Sequence, residues 1–413
     1  MNQKFMTEFR NNLKFLILLL IPLIGSCRGN NEMEGDGMDE DFSSVVVSRS
    51  IRSLPAGLGD LEPGEKSPII NESFSPGDIL YISQMGTNID PSFSEGASNL
   101  YLYQFYEDEE EPPTWNQGYN FRKTYNGQAL NWGNIVALGS VGNAFAFYGM
   151  YFPGGSPAFQ VNTDQTGGAQ NPYDTENFLS SDIMGAYHTT SATYTRMRFN
   201  LFHLMVYLKV TIYVPVYSDK YQEGGDSEFS GFREGAMLRA FMMNTDPTFT
   251  IDWRAGRSSD IEPPLTTSNG SKTNIRMYMH EPDNSETFEI DVEDYYLGGD
   301  IRKDEVRAYN FSVLFPAQAF AQNSNIICFE LMNPMGANNP NRYYYFSSNQ
   351  LMSQTTDYAL SQGTLQQLYL YLPRSTNKTI LIGAKILEWG NTSTEMTMTS
   401  SSSESSDDEF NNQ

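Results

Sequence analysis

Histidine and cysteine are scarce in this chain, three and two among 413 residues, and each scarcity excludes a class of chemistry. His188, His203 and His280 are too few and too scattered for an imidazole metal site, and no metal or other cofactor is expected. Cys27 and Cys328 cannot build a disulfide framework or a thiolate cluster. Cys328 lies in the apolar run Asn325-Ile326-Ile327-Cys328-Phe329 and reads as a small buried hydrophobe. Positive charge is short too: 26 Lys and Arg face 50 Asp and Glu, a net of −24. So acidic a surface repels phosphate backbones, which excludes nucleic acid as a partner. No Gly-x-Ser-x-Gly elbow, His-Glu-x-x-His or phosphate-binding glycine loop occurs, and the chain reads as no enzyme. The apolar run over residues 15–24 is about half of the roughly 20 residues that a bilayer core needs.

That run has a meaning of its own. It follows the cationic Lys4, Arg10 and Lys14 and ends on Gly25-Ser26-Cys27, the charged, apolar, small-residue order of a secretory signal. A cysteine at the cut position resembles the lipobox of bacterial lipoproteins. The resemblance implies that residues 1–26 are removed and that Cys27 carries lipid into the outer membrane. Their removal leaves 23 basic and 49 acidic residues, a net of −26. Residues 27–41 are Gly, Asn, Met and acid without apolar period, a tether that buries too little to order itself. Its acids resemble the stretch that sends lipoproteins of Bacteroides-like bacteria to the cell surface. Residues 393–413 form an acidic, Ser-rich tail expected to be disordered.

Between tether and tail the chain reads as all-β. Strand candidates cover residues 79–83, 100–105, 144–151, 196–201, 206–216, 276–279, 288–292, 309–315, 326–331, 368–372 and 379–387, bounded by Gly, Pro, Asn and Ser. Helical signals are few: residues 349–356 and 363–367 read as short turns, and 229–244 is ambiguous. Many short strands at this spacing favour antiparallel sandwiches over α/β units. The Asp-, Glu- and Gly-rich stretch from residue 219 is the internal boundary, with an N-terminal domain over 42–218 and a C-terminal one over 219–392.

The order of motifs is similar to that of the fimbrillin family of Bacteroidetes, the Mfa-like type V pilus subunits. Ser75-Pro76-Gly77-Asp78-Ile79 resembles its opening turn. Phe145-Ala146-Phe147-Tyr148-Gly149-Met150-Tyr151-Phe152-Pro153 resembles an aromatic strand, and Ser181-Asp182-Ile183-Met184-Gly185-Ala186 a following segment. Phe199-Asn200-Leu201-Phe202-His203-Leu204-Met205, Phe315-Pro316-Ala317-Gln318 and Lys385-Ile386-Leu387-Glu388-Trp389 complete the set. The resemblance implies two tandem β-sandwich domains of transthyretin-like topology in a surface lipoprotein that builds or caps fimbriae. It implies partners among other fimbrial subunits, by β-strand addition, and a host or bacterial surface ligand. It also implies cutting after an arginine: residues 42–47 are the candidate leaving strand, with Arg49 or Arg52 the candidate cut. The tail after Trp389 departs from shaft subunits, which donate a C-terminal strand, and leaves anchor, tip and non-polymerising roles open.

Three features carry weaker expectations. Glu107-Asp108-Glu109-Glu110-Glu111 and Asp291-Val292-Glu293-Asp294 have the carboxylates of a calcium site but no ligand spacing, and read as solvated surface. His203, on a strand among Phe202, Leu204 and Met205, reads as a satisfied core histidine. Tyr343-Tyr344-Tyr345-Phe346 and Trp115, Tyr119 and Phe121 read as sandwich core. As platforms for sugar rings they would support a second reading, a glycan-binding lipoprotein of a polysaccharide-uptake system.

Overall fold

Short runs of β-branched and aromatic residues become strands, and the chain is all-β with two short helices among the described residues. The computed structural model describes residues 46–51, 75–105, 121–124, 127–128, 130–168, 171–191, 196–218, 231, 236–254, 264–282, 287–294, 300–332, 341–351, 357–374 and 377–388. The first half carries β1 (Val46–Ile51), β2 (Ile79–Met85), β3 (Leu100–Phe105), β4 (Phe121–Lys123), α1 (Trp132–Leu138), β5 (Phe145–Tyr151), α2 (Glu176–Leu179), β6 (Met184–Thr190) and β7 (Arg196–His203). The second half opens with β8 (Met205–Pro215), β9 (Met237–Thr245), β10 (Phe249–Ile251), β11 (Thr266–Ser268), β12 (Thr273–Arg276), β13 (Tyr278–Met279) and β14 (Phe288–Asp294). It continues with β15 (Asp300–Pro316), β16 (Gln318–Phe320), β17 (Asn325–Met332), β18 (Arg342–Ser347), β19 (Tyr358–Leu360), β20 (Thr364–Tyr371) and β21 (Ile380–Glu388).

Seven strands of the first half form one sheet in the order β1-β7-β6-β5-β2-β3-β4. The turn that feeds β2 needs its glycine: in Ser75-Pro76-Gly77-Asp78, Gly77 has φ +99 and the Asp78 N–H donates to Ser75 O at 3.0 Å. β6 and β7 pair at Met184↔His203 and Gly185↔Phe202. Its Phe199 and Leu201 are buried with Leu80, Ile82 and Phe147 of the sheet. Helix α1, N-capped by the Asn131 side chain accepting from Gly133 N at 2.8 Å, adds Trp132 and Ile135 to that layer. The Gln84 amide of β2 fastens it by donating to Ile135 O and Gly139 O.

Two further sheets form a sandwich in the second half. One is β12-β9-β17-β18; the other follows β13-β15-β8-β20-β21, with β14 also on β15. Phe329 of β17 meets Phe311 of β15 across the interior, ring centroids 6.1 Å apart. β8 lies before residue 219 yet pairs with β15 and β20. The chain therefore changes sheets at Leu204, the residue between β7 and β8, because β8 is apolar enough to be a central strand. Residues 363–367, expected as a helical turn, open a strand instead. Gly363 at φ +66 completes a turn and β20 starts at Thr364, drawn into the ladder by β8 and β21.

Candidate functional site

The site of interest is the edge where β1 meets β7. β1 runs parallel to β7, from Val46↔Arg196 to Ile51↔Leu201, and ends the sheet order. Over 196–201, β1 is the only strand paired to β7 among the described residues. Over that span β1 pairs the backbone of β7, while the Phe199 and Leu201 side chains hold it to the core. A parallel edge strand satisfied through one neighbour is a natural place for one strand to replace another, since ladder bonds do not depend on side chains.

Two contacts seat β7 from below, and each joins two of the quoted motifs. The Phe199 ring lies over Gly149 of β5, where a Cβ would stand 2.7 Å from Phe199 Cδ1. The fit needs a residue without a side chain. At the end of β7, His203 Nδ1 and Asp182 Oδ1 are 2.8 Å apart, both buried. His203 is the satisfied core histidine that its apolar neighbours suggest. His280 meets Ser312 Oγ through Nε2 at 2.7 Å, and the His188 ring lies 5.8 Å from that of Phe199. Among the described residues, no three metal-ligating side chains come together.

The remaining predicted residues divide cleanly. Cys27 and Arg52 lie outside the described residues, as do Glu107–Glu111 and Trp115 and Tyr119. The strand spans Val46–Ile51, so Arg49 stands inside it, opposite Phe199. Asp291 lies in β14 opposite Lys303. Cys328 is buried, and desolvation, then the nearby Glu330 charge, push its thiol up to about 11 despite a hydrogen bond with Tyr345. The aromatic run splits: Tyr344 and Phe346 are core, while Tyr343 and Tyr345 face outward. That outward half was missed as a set, since Phe241 and Glu330 join it only through pairing.

No protein-family model and no curated protein matches this chain. Among solved structures it is similar to a Bacteroides ovatus protein assigned to cell adhesion, at 11% identity and a TM-score of 0.42, covering 84% of this chain and 97% of that one. A fimbrial protein from Bacteroides ovatus gives 10% identity and a TM-score of 0.30, covering 80% and 50%. The tip fimbrial protein Mfa3 from Porphyromonas gingivalis gives 8% and 0.33, covering 76% and 95%. TM-scores this low carry no weight for fold or function, which rest on the strands and their pairing.

Proposed function

We propose that this chain is a non-enzymatic surface subunit of fimbriae, held to the outer membrane by lipid on Cys27 until trimming frees it to exchange a strand. The observation that carries the reading is the pairing of β1 with β7 at the end of the sheet. Loss of β1 leaves the backbone of β7 over 196–201 unpaired on that side, while Phe199 and Leu201 keep it seated. A strand from a neighbouring subunit then restores the ladder, each hydrogen bond contributing about 1 kcal/mol net.

This reading favours Arg52 over Arg49. Arg49 lies within the ladder, where the backbone is already held by β7. Arg52 comes after the last residue of β1 in the sequence, and it is taken as the cut in this reading. N-terminal sequencing of protein released from cell surfaces tests this. Ser53 is the expected first residue, and Arg52→Ala, not Arg49→Ala, is expected to block both trimming and fibre growth in electron micrographs. Surface protein that always begins at Cys27, in cells that bear its fibres, would overturn trimming.

A further inference from the structure

The outer face of the four-stranded sheet carries an arrangement that strand exchange does not use. Register sets six residues in two rows on it: Arg239–Glu330–Tyr343, and beside them Phe241–Cys328–Tyr345. The alternate residues Tyr344 and Phe346 point the other way into the core, so the outward rings lie outside it. Cys328, the smallest of the six, is 8% exposed and lies between Phe241 and Tyr345 in its row, with the Tyr345 side chain hydrogen-bonded to it. The two rings start from strands two spacings apart, about 9–10 Å.

Polar groups on this face are already held in place. Glu330 Oε1 accepts from Tyr343 OH at 3.1 Å and from Asn341 Nδ2 at 2.8 Å. Its other oxygen lies 3.8 Å from Arg239 Nη1, too far for a strong hydrogen bond. Both groups therefore keep bonding capacity, and the Arg239 side chain is 40% exposed. Tyr343 is 45% exposed, yet its hydroxyl is tied down, so ligand stacking costs little further ordering.

We infer that this face binds a neutral saccharide, with a pyranose ring against Tyr343, Tyr345 and Phe241 and its hydroxyls on Glu330 and Arg239. The electronegative faces of the rings suit the C–H side of a sugar, and the carboxylate and guanidinium supply an acceptor and donors for hydroxyls. A charge pair at the centre is what the dry core of a protein interface lacks. A net charge of −24 disfavours anionic ligands. The inference stands apart from strand exchange, because neither β1 nor β7 contributes to this face.

Affinity electrophoresis of the full chain, through gels holding mannan, glycogen, xyloglucan or arabinogalactan, tests it. Retardation is expected in at least one gel. Tyr343→Ala and Tyr345→Ala should each weaken it roughly tenfold, and Tyr343→Phe, which keeps the ring, should retain most of it. Arg239→Ala, on a partly exposed side chain, should weaken it with the melting temperature unchanged. No retardation in any gel, or retardation that both alanine variants keep, would overturn the assignment. So would a dimer in sedimentation velocity that Tyr343→Ala dissolves, since a second copy would then own the face. Trimming at Arg52 is read by sequencing and microscopy, so either proposal can fail alone.

Discussion

Burial changes what single residues can do, and Cys328 shows by how much. Its thiol, raised from 9.0 to about 11, holds on the order of a hundredfold less thiolate at pH 8 than an ordinary one. Iodoacetamide should label the folded protein about a hundredfold more slowly than the urea-unfolded chain, as read by intact mass. The same shift gives a pH window. Above 9 the unfolded thiol ionises before the folded one, so this residue's contribution to stability falls as pH rises towards 11. Equal labelling rates would place Cys328 at the surface. The buried pair of His203 and Asp182 makes a second case. Asp182→Ala removes an acceptor from a buried imidazole and should cost about 1–3 kcal/mol in a urea titration. Sequence told half of this story: a histidine among Phe202, Leu204 and Met205 had to be satisfied somewhere. Its partner, 21 residues earlier, became visible only when β6 and β7 closed on each other.

At the scale of elements, seating and clamping decide which strands hold. Gly149 admits the Phe199 ring, so Gly149→Ala overpacks β7 and should destabilise by about 1–3 kcal/mol. Pairing it with Phe199→Leu should cost less than the two single changes together, because the smaller side chain relieves the clash. Additive costs would mean that the two do not meet. β20 is held differently. Arg374, just beyond it, donates to Asp304 of β15 through Nε at 3.0 Å and Nη2 at 2.8 Å, and to Val216 O at 3.0 Å. Tyr371 donates to the same carboxylate at 2.8 Å. Asp304→Ala strands a buried guanidinium and should cost about 3–5 kcal/mol, read as a lower urea midpoint. Most strands were legible because aromatic and β-branched runs ended at Gly, Asn or Pro. β6 was not, since Met184-Gly185-Ala186-Tyr187-His188-Thr189-Thr190 holds small and polar residues that only β5 turns into a ladder. Helix α1 escaped notice because seven residues give too little periodicity, though Asn131 was a usable capping signal.

Across the whole molecule, the question is whether the two halves stand or fall together. Trp253, just past β10, packs among Phe93, Tyr148 and Phe159 of the first half, with ring centroids 5.6, 4.7 and 6.1 Å away. Tyr148 OH also donates to Trp253 O at 2.8 Å. Next to it, Arg254 reaches Asp90 at 2.6 Å, but both side chains are largely exposed. Such surface pairs contribute at most about 1 kcal/mol. Truncating a packed tryptophan costs about 3 kcal/mol or more, so the rings rather than the ion pair carry the coupling. Composition alone suggested a break near residue 219, because a polar stretch resembles a linker. The core ignores it: buried residues from β5 and β6 share one cluster with β8, β15 and β17. Calorimetry should accordingly give a single unfolding transition that includes both halves. Trp253→Ala should lower it by roughly 3 to 6 °C, and Arg254→Ala should leave it nearly unmoved. If Trp253→Ala instead splits the transition in two, with the second half keeping its original midpoint, the aromatic cluster is the only link between the halves. Two transitions in the unaltered protein would show that the shared core does not couple them, and that β7 can lose β1 without disturbing the sandwich beyond Leu204.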